Sequence, residues 1–151
     1  MKKKYAGYIN LKPLNGVLYP SSIQNIIMKN FIENNLGGIF YLSPTEVLQA
    51  KFPITLNTLI LKETKVSGIV MLSSFLLPKN YDQRKSIYQK LFKSKKKLYF
   101  ILDEFKIISK KDIENVEEFL ILNNSYFTEI KKELNIDEKN FMKNYQNITL
   151  V

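Results

Sequence analysis

The run Gly68-Ile69-Val70-Met71-Leu72-Ser73 decides the fold of this chain. It is apolar, partly β-branched, bounded by small residues and too short for a buried helix. Such a run describes a strand covered on both faces, as the strands of a parallel sheet are. Toward the N-terminus, Leu56 to Leu61 reads as a helix beginning near Pro53, and Ile39 to Leu42 as another strand, ending at Ser43-Pro44-Thr45-Glu46. Before it lies a helix opened by Pro20-Ser21-Ser22 and stopped by Gly37-Gly38. Ser21 and Gln24 have capping-box spacing, and Ile23, Ile26, Ile27, Phe31 and Ile32 form the expected buried stripe. Leu11 to Tyr19, with Pro13 and Asn15-Gly16, is a loop, and Tyr5 to Asn10 is the first strand.

Toward the C-terminus the alternation continues. Pro78-Lys79-Asn80 closes a loop, Asn80 and Gln83 repeat the capping-box spacing, and Ile87, Tyr88, Leu91 and Phe92 give a helix its buried stripe. Leu98 to Leu102 is a fourth strand, closed by Asp103-Glu104. Strands alternating with helices predict an α/β fold, a mainly parallel sheet of about four strands with helices on both faces. After Ile107 the pattern turns helical. Ser109 and Asp112 cap a helix carrying Ile113, Val116, Phe119 and Leu120; Asn123-Asn124 is expected to break it. Tyr126, Phe127, Ile130 and Leu134 mark another helix, and a short segment around Phe141, Met142 and Tyr145 closes the chain. The reading is a core domain over 1–107 and a helical extension over 108–151, too small to fold alone and expected to pack on the core.

Composition excludes more chemistry than it suggests. The 151 residues contain no His and no Cys. A zinc site of nitrogen and sulfur ligands, a Ser-His-Asp triad, a Cys-His pair and an imidazole acid–base step are therefore ruled out. No metal site and no cofactor is predicted, since Gly-rich dinucleotide and phosphate-loop patterns are missing as well. Without Cys there is no disulfide framework, and no apolar run approaches the length of a membrane span; a cytoplasmic location is the expectation. The net charge of +9 invites a nucleic-acid reading, yet Arg84 is the single arginine among 23 basic residues. Readers of nucleic acid draw on arginine for bidentate contacts, so no specific nucleic-acid partner is expected. Lys93 and Lys95 to Lys97 fall at a helix end, where cations complement the helix dipole.

Ligands of open α/β sheets bind outside the carboxyl ends of the strands, where strand order reverses. The polar residues this chain brings to that rim are the candidate site: Asn10 and Lys12 after the first strand, Gln24 and Asn25 in the helix that follows, Ser43, Thr45 and Glu46 after the second, Ser73 and Ser74 after the third, and Arg84 in the next helix. Asp103 and Glu104 end the fourth strand, and adjacent residues point to opposite faces, so one of the two at most enters a shared pocket. Lys12 and Arg84 would meet a negative charge, with Ser43, Thr45 and Ser73 bonding hydroxyls. Glu46 or Glu104 would be the general base of any catalysis.

Several of these residues recur in an order that resembles a known family. Gly7-Tyr8-Ile9, Pro20 with Gln24-Asn25, Leu42-Ser43 with Thr45-Glu46, Gly68-Ile69-Val70, Ser73 or Ser74, Leu77-Pro78, Arg84 with Ile87-Tyr88, and Leu98-Tyr99-Phe100 followed by Glu104 look like the sporadic carbohydrate cluster proteins of bacterial surface-polysaccharide loci. The likeness covers about residues 5 to 107, and it departs at Lys12, where the family pattern suggests Arg, and at Val47, where it suggests an aromatic. It implies a role in cell-surface carbohydrate synthesis and an anionic sugar or nucleotide-sugar ligand. An accessory protein docking on a biosynthetic enzyme is the alternative. A fainter likeness, to the catalytic domain of serine recombinases, implies a related, flavodoxin- or resolvase-like fold. Recombination itself needs a Ser after the first strand and several Arg, but this chain has Asn10-Leu11-Lys12 and one Arg, leaving at most a degenerate domain with weak non-specific nucleic-acid binding.

Overall fold

The structure is a computed structural model; it describes residues 1–48 and 50–134, with side chains through Asn124. Five strands form one sheet in the order β2-β1-β3-β4-β5. These are β1 (Lys4–Ile9), β2 (Ile39–Thr45), β3 (Gly68–Met71), β4 (Lys97–Phe100) and β5 (Phe105–Ile107). The first four are mutually parallel, and β5 turns back antiparallel on β4. The helices are α1 (Ser21–Asn34), α2 (Ile54–Leu61), α3 (Tyr81–Lys93) and α4 (Lys110–Leu134). The α/β fold with its mainly parallel sheet stands as expected; the hairpin strand β5 is an addition to the four strands read from the sequence. Three residues, of which Lys106 is exposed and Ile107 buried, are too short a pattern to register as a strand.

β3 is buried at every position, as its unbroken apolar run requires. β1 lies between β2 and β3, and the chain leaves β1 toward one edge of the sheet and β3 toward the other. The order therefore reverses between β1 and β3. Right-handed crossovers running in opposite directions put α1 on one face of the sheet and α2 with α3 on the other. The aromatic contact of Phe31 with Tyr99 belongs to the α1 face.

Three local expectations are corrected. α1 opens on Pro20 with no side-chain cap, because the Gln24 amide is used elsewhere. Its buried stripe is Gln24, Met28 and Ile32, while Ile23 and Ile26 are exposed. Apolar residues occur on several sides of this helix, so spacing alone could not choose among overlapping stripes. The Asn123-Asn124 pair does not break α4, which runs on to Leu134. Asn123 Nδ2 donates to Phe119 O one turn back, so its amide is used within the helix instead of ending it. The segment around Phe141, Met142 and Tyr145 lies outside the described residues.

Other signals hold. Gly37 takes the left-handed φ of 59° that ends α1, and Asn15-Gly16 form a tight turn with φ of 50° and 78°. Asn80 caps α3 by accepting from Gln83 N. Asp112 Oδ2 accepts from Ser109 N and Ile108 N at the head of α4, and these backbone donors hold its carboxyl below the usual range. The chain divides into two compact units, Met1–Val116 and Glu117–Val151. No helix among the described residues is long and apolar enough to cross a membrane.

Candidate functional site

Because β1 to β4 are parallel, their carboxyl ends share one rim, and the predicted residues gather there. The rim starts from a bulge in β2. Gly7 pairs with Leu42 but Ile9 pairs with Thr45, so β2 carries one extra residue at Ser43-Pro44. Pro44 has no N–H for the ladder, which is tolerable because β2 is an edge strand. Ser43 Oγ donates instead to Gly7 O at 2.6 Å, and the chain rejoins β1 through Glu46 N to Ile9 O at 2.9 Å. The bulge turns the Glu46 side chain inward, where the residue is buried.

Glu46 there caps α2 from outside the helix. Its Oε1 accepts from Val47 N and Thr55 N, and its Oε2 from Leu56 N, all at 3.0 Å. Two of these donors belong to the first turn of α2, whose positive dipole end suits a carboxylate. Tyr8 adds a fourth bond, its hydroxyl donating to Oε2 at 2.9 Å. Burial, with the Glu46 charge beside it, pushes the Tyr8 phenol far above its ordinary range. Asn10 Nδ2 donates to the same phenolic oxygen at 3.2 Å. The four donors occupy both Glu46 oxygens.

A second carboxylate, Asp103, joins the β3 and β4 ends. Its Oδ1 accepts from Ser73 Oγ at 2.8 Å, and its Oδ2 from Ser74 N and Ser74 Oγ at 2.5 Å. Ser73 Oγ also accepts from Phe75 N, opening the 3-10 turn Ser74–Leu76. Of the adjacent pair, Asp103 therefore enters the rim, while Glu104 is exposed with a left-handed φ of 57°.

Gln24 and Asn10 knit the loop after β1. Gln24 Nε2 donates to Asn10 O at 2.9 Å and Tyr19 O at 2.7 Å, while its Oε1 accepts from Asn10 N. The next side chain, Asn25, has a buried Oδ1 with no hydrogen-bond partner among the described residues. Arg84 Nη1 donates to Pro78 O and Lys79 O, and its guanidinium lies 5.8 Å from the Tyr81 ring centroid. Thr45 is exposed at the end of β2.

Lys12 differs from all of these. Its amide donates to Asn10 Oδ1, and its Nζ reaches from the loop after β1 to Phe75 O after β3, at 3.1 Å. It spans the place where strand order reverses. Burial lowers its pKa, and the like charge of Lys79 lowers it further. Among the described residues no three His, Cys, Asp or Glu side chains gather as metal ligands would.

Two charged residues of the same fold depart from the sequence reading. Lys96 stands in a lysine run, yet it is buried and its Nζ donates to Leu59 O at 2.6 Å, Ile60 O at 2.9 Å and Glu63 O. It caps the C-terminus of α2, not of the helix it follows. The other is a choice within a pair: of Asp103 and Glu104 the sequence favours Glu104 as the pocket carboxylate, and the structure turns Asp103 inward instead. Nothing in a lysine run or an Asp-Glu pair marks which member turns inward.

No family model matches this chain, and no curated protein does either. Among solved structures it is similar to the N-terminal catalytic domain of TP901-1 integrase, with a TM-score of 0.51 and 14% identity over 89% of this chain and 100% of that one. At this identity the likeness is one of fold. It agrees with the expected resolvase-like fold, while the position after β1 holds Asn10, whose carboxamide is engaged with Tyr8 and Lys12.

Proposed function

We propose that the β1/β3 crevice binds a small anionic ligand through Lys12 and Lys79. The observation that carries this reading is Lys12 itself, an amine drawn partly out of water across the strand-order reversal, with a like charge as its electrostatic neighbour. Such an arrangement costs stability in the empty protein, and an anion would relieve it. The neighbouring carboxylates Glu46 and Asp103 are held by neutral donors of their own, and the Lys12 amine bonds to neither of them. Glu104, exposed at the same rim, is the carboxylate that would serve as the base of any catalysis.

The resemblance of the sequence to the sporadic carbohydrate cluster proteins would make that ligand a sugar-linked anion, a nucleoside diphosphate sugar or an acidic sugar, in a surface-carbohydrate pathway. Titration of the full chain with nucleoside diphosphate sugars and with inorganic pyrophosphate, followed by thermal unfolding, tests this. A ligand at a hundredfold excess over its Kd should stabilise the fold by about 2.7 kcal/mol. Lys12→Met should abolish the gain given by pyrophosphate, the part of the ligand that this crevice would hold. If none of these anions stabilises the protein, or Lys12→Met responds as the wild type does, the reading fails.

A further inference from the structure

On the face of the sheet that carries α2 and α3, a cavity of about 360 Å³ lies between those helices. This is the lower end of the range for small-molecule sites. α3 contributes Gln83, Ser86, Ile87 and Lys90, the i, i+3, i+4, i+7 stripe of one helix face. α2 contributes Asn57, and the ring of Phe52 stands at the margin, 57% exposed. None of these residues belongs to the β1/β3 crevice.

The lining is graded along the helix. Lys90 is held in place by one bond, Nζ to Asn57 Oδ1 at 3.0 Å, which leaves two of its three donors for a ligand. Asn57 is held in turn by Nδ2 to Pro53 O at 2.8 Å. Gln83 spends Nε2 on Lys51 O at 2.8 Å, which leaves its amide oxygen as an acceptor. Gln83 and Lys90 are seven residues apart, roughly 10 Å along the helix. Ile87 is buried and supplies an apolar floor between them. No carboxylate lines the cavity, so its one charge is the Lys90 cation.

A ligand matching these features has an anionic group for Lys90, a flat apolar face for Phe52 and Ile87, and a hydrogen-bond donor for Gln83, all within about 10 Å. We propose that the α2/α3 groove is a second ligand site, for a planar heteroaromatic anion the size of a pyrimidine mononucleotide. An aromatic lip, one oriented cation and an amide acceptor provide affinity, charge selection and orientation respectively.

Uridine 5′-monophosphate is the probe, with uridine and inorganic phosphate as its two halves. Amide chemical-shift mapping of the full chain should show the mononucleotide perturbing Phe52, Asn57, Gln83 and Lys90, with each half binding more weakly than the whole. Lys90→Met and Phe52→Ala, both at surface positions, should each weaken binding by about tenfold, the scale of one lost charge-assisted contact for the lysine and of one lost base stack for the ring. Three results would overturn the site: perturbations confined to Lys12 and Phe75, mononucleotide binding no tighter than phosphate, or full affinity in both variants. The first would leave the β1/β3 crevice standing as the anion site.

Discussion

Lys96 and Lys12 are both drawn partly out of water, and the fold treats them in opposite ways. Lys96 meets three carbonyl oxygens at the end of α2, and the nearby Glu63 charge raises its pKa against the lowering effect of burial. Lys12 meets one carbonyl oxygen, and its charged neighbour Lys79 adds to the lowering. The first is a satisfied charge and belongs to the scaffold. The second is an unmatched charge at the place where ligands of this architecture bind. Glu46 and Glu104 repeat the contrast among carboxylates, one filled by four donors inside and one exposed at the rim. Burial and residue type alone do not separate function from support; the number and sign of the partners do.

The largest test of this division is Glu46→Ala. It removes the carboxylate from Val47, Thr55 and Leu56 N–H and from the Tyr8 hydroxyl, and leaves the first turn of α2 uncapped. Urea unfolding should show a loss of about 3 kcal/mol, since bonds to a charged group are strong and the stranded donors lie inside. A loss below about 0.5 kcal/mol, the size of an ordinary surface change, would mean that Glu46 is not structural. Its predicted role as a base would then regain ground.

The same contrast explains what could be read from the sequence. β3 was legible because a run covered on both faces needs no partner to be recognised. The rim was legible as a place, because parallel strands must end together and polar residues ended them. The use of each rim residue was not. Glu46 caps a helix that begins eight residues later in the chain, and only the bulge at Ser43-Pro44 aims it there. Gln24 had the spacing of a local cap but went to Asn10 and Tyr19, whose carbonyls lie at the two ends of the loop after β1. Lys96 looked like its neighbours Lys95 and Lys97, since the difference depends on α2, 33 to 37 residues away. Long-range pairing of short polar side chains leaves no periodic trace.

Lys96→Met should act in the same direction as Glu46→Ala, and less strongly. The flexible Met fills the volume, but the carbonyls of Leu59, Ile60 and Glu63 lose their donor. A loss of about 2 kcal/mol is expected in urea unfolding. Amide hydrogen exchange should accelerate in α2 before the sheet strands, because the lost contact is the cap of that helix. Uniform acceleration throughout the fold would show that Lys96 supports the sheet instead.

Lys12→Met should break the pattern. The substitution gives up one bond to Phe75 O but removes a like charge from beside Lys79, so stability at neutral pH should stay within about 0.5 kcal/mol of the wild type or rise. The pH profile separates the two lysines from ordinary surface ones. Each has a folded pKa below its ordinary value of 10.5. Between the lowered value and 10.5 the unfolded chain holds a proton that the folded chain has released, so stability rises with pH across that window. Below the lowered value both states are charged, and the full penalty is present. Lys12→Met should flatten the alkaline rise and leave α2 exchange unchanged, whereas Lys96→Met should flatten it while loosening α2. A Lys12→Met protein that is destabilised as much as Lys96→Met would place Lys12 in the scaffold and remove the ground for an anion at the β1/β3 crevice.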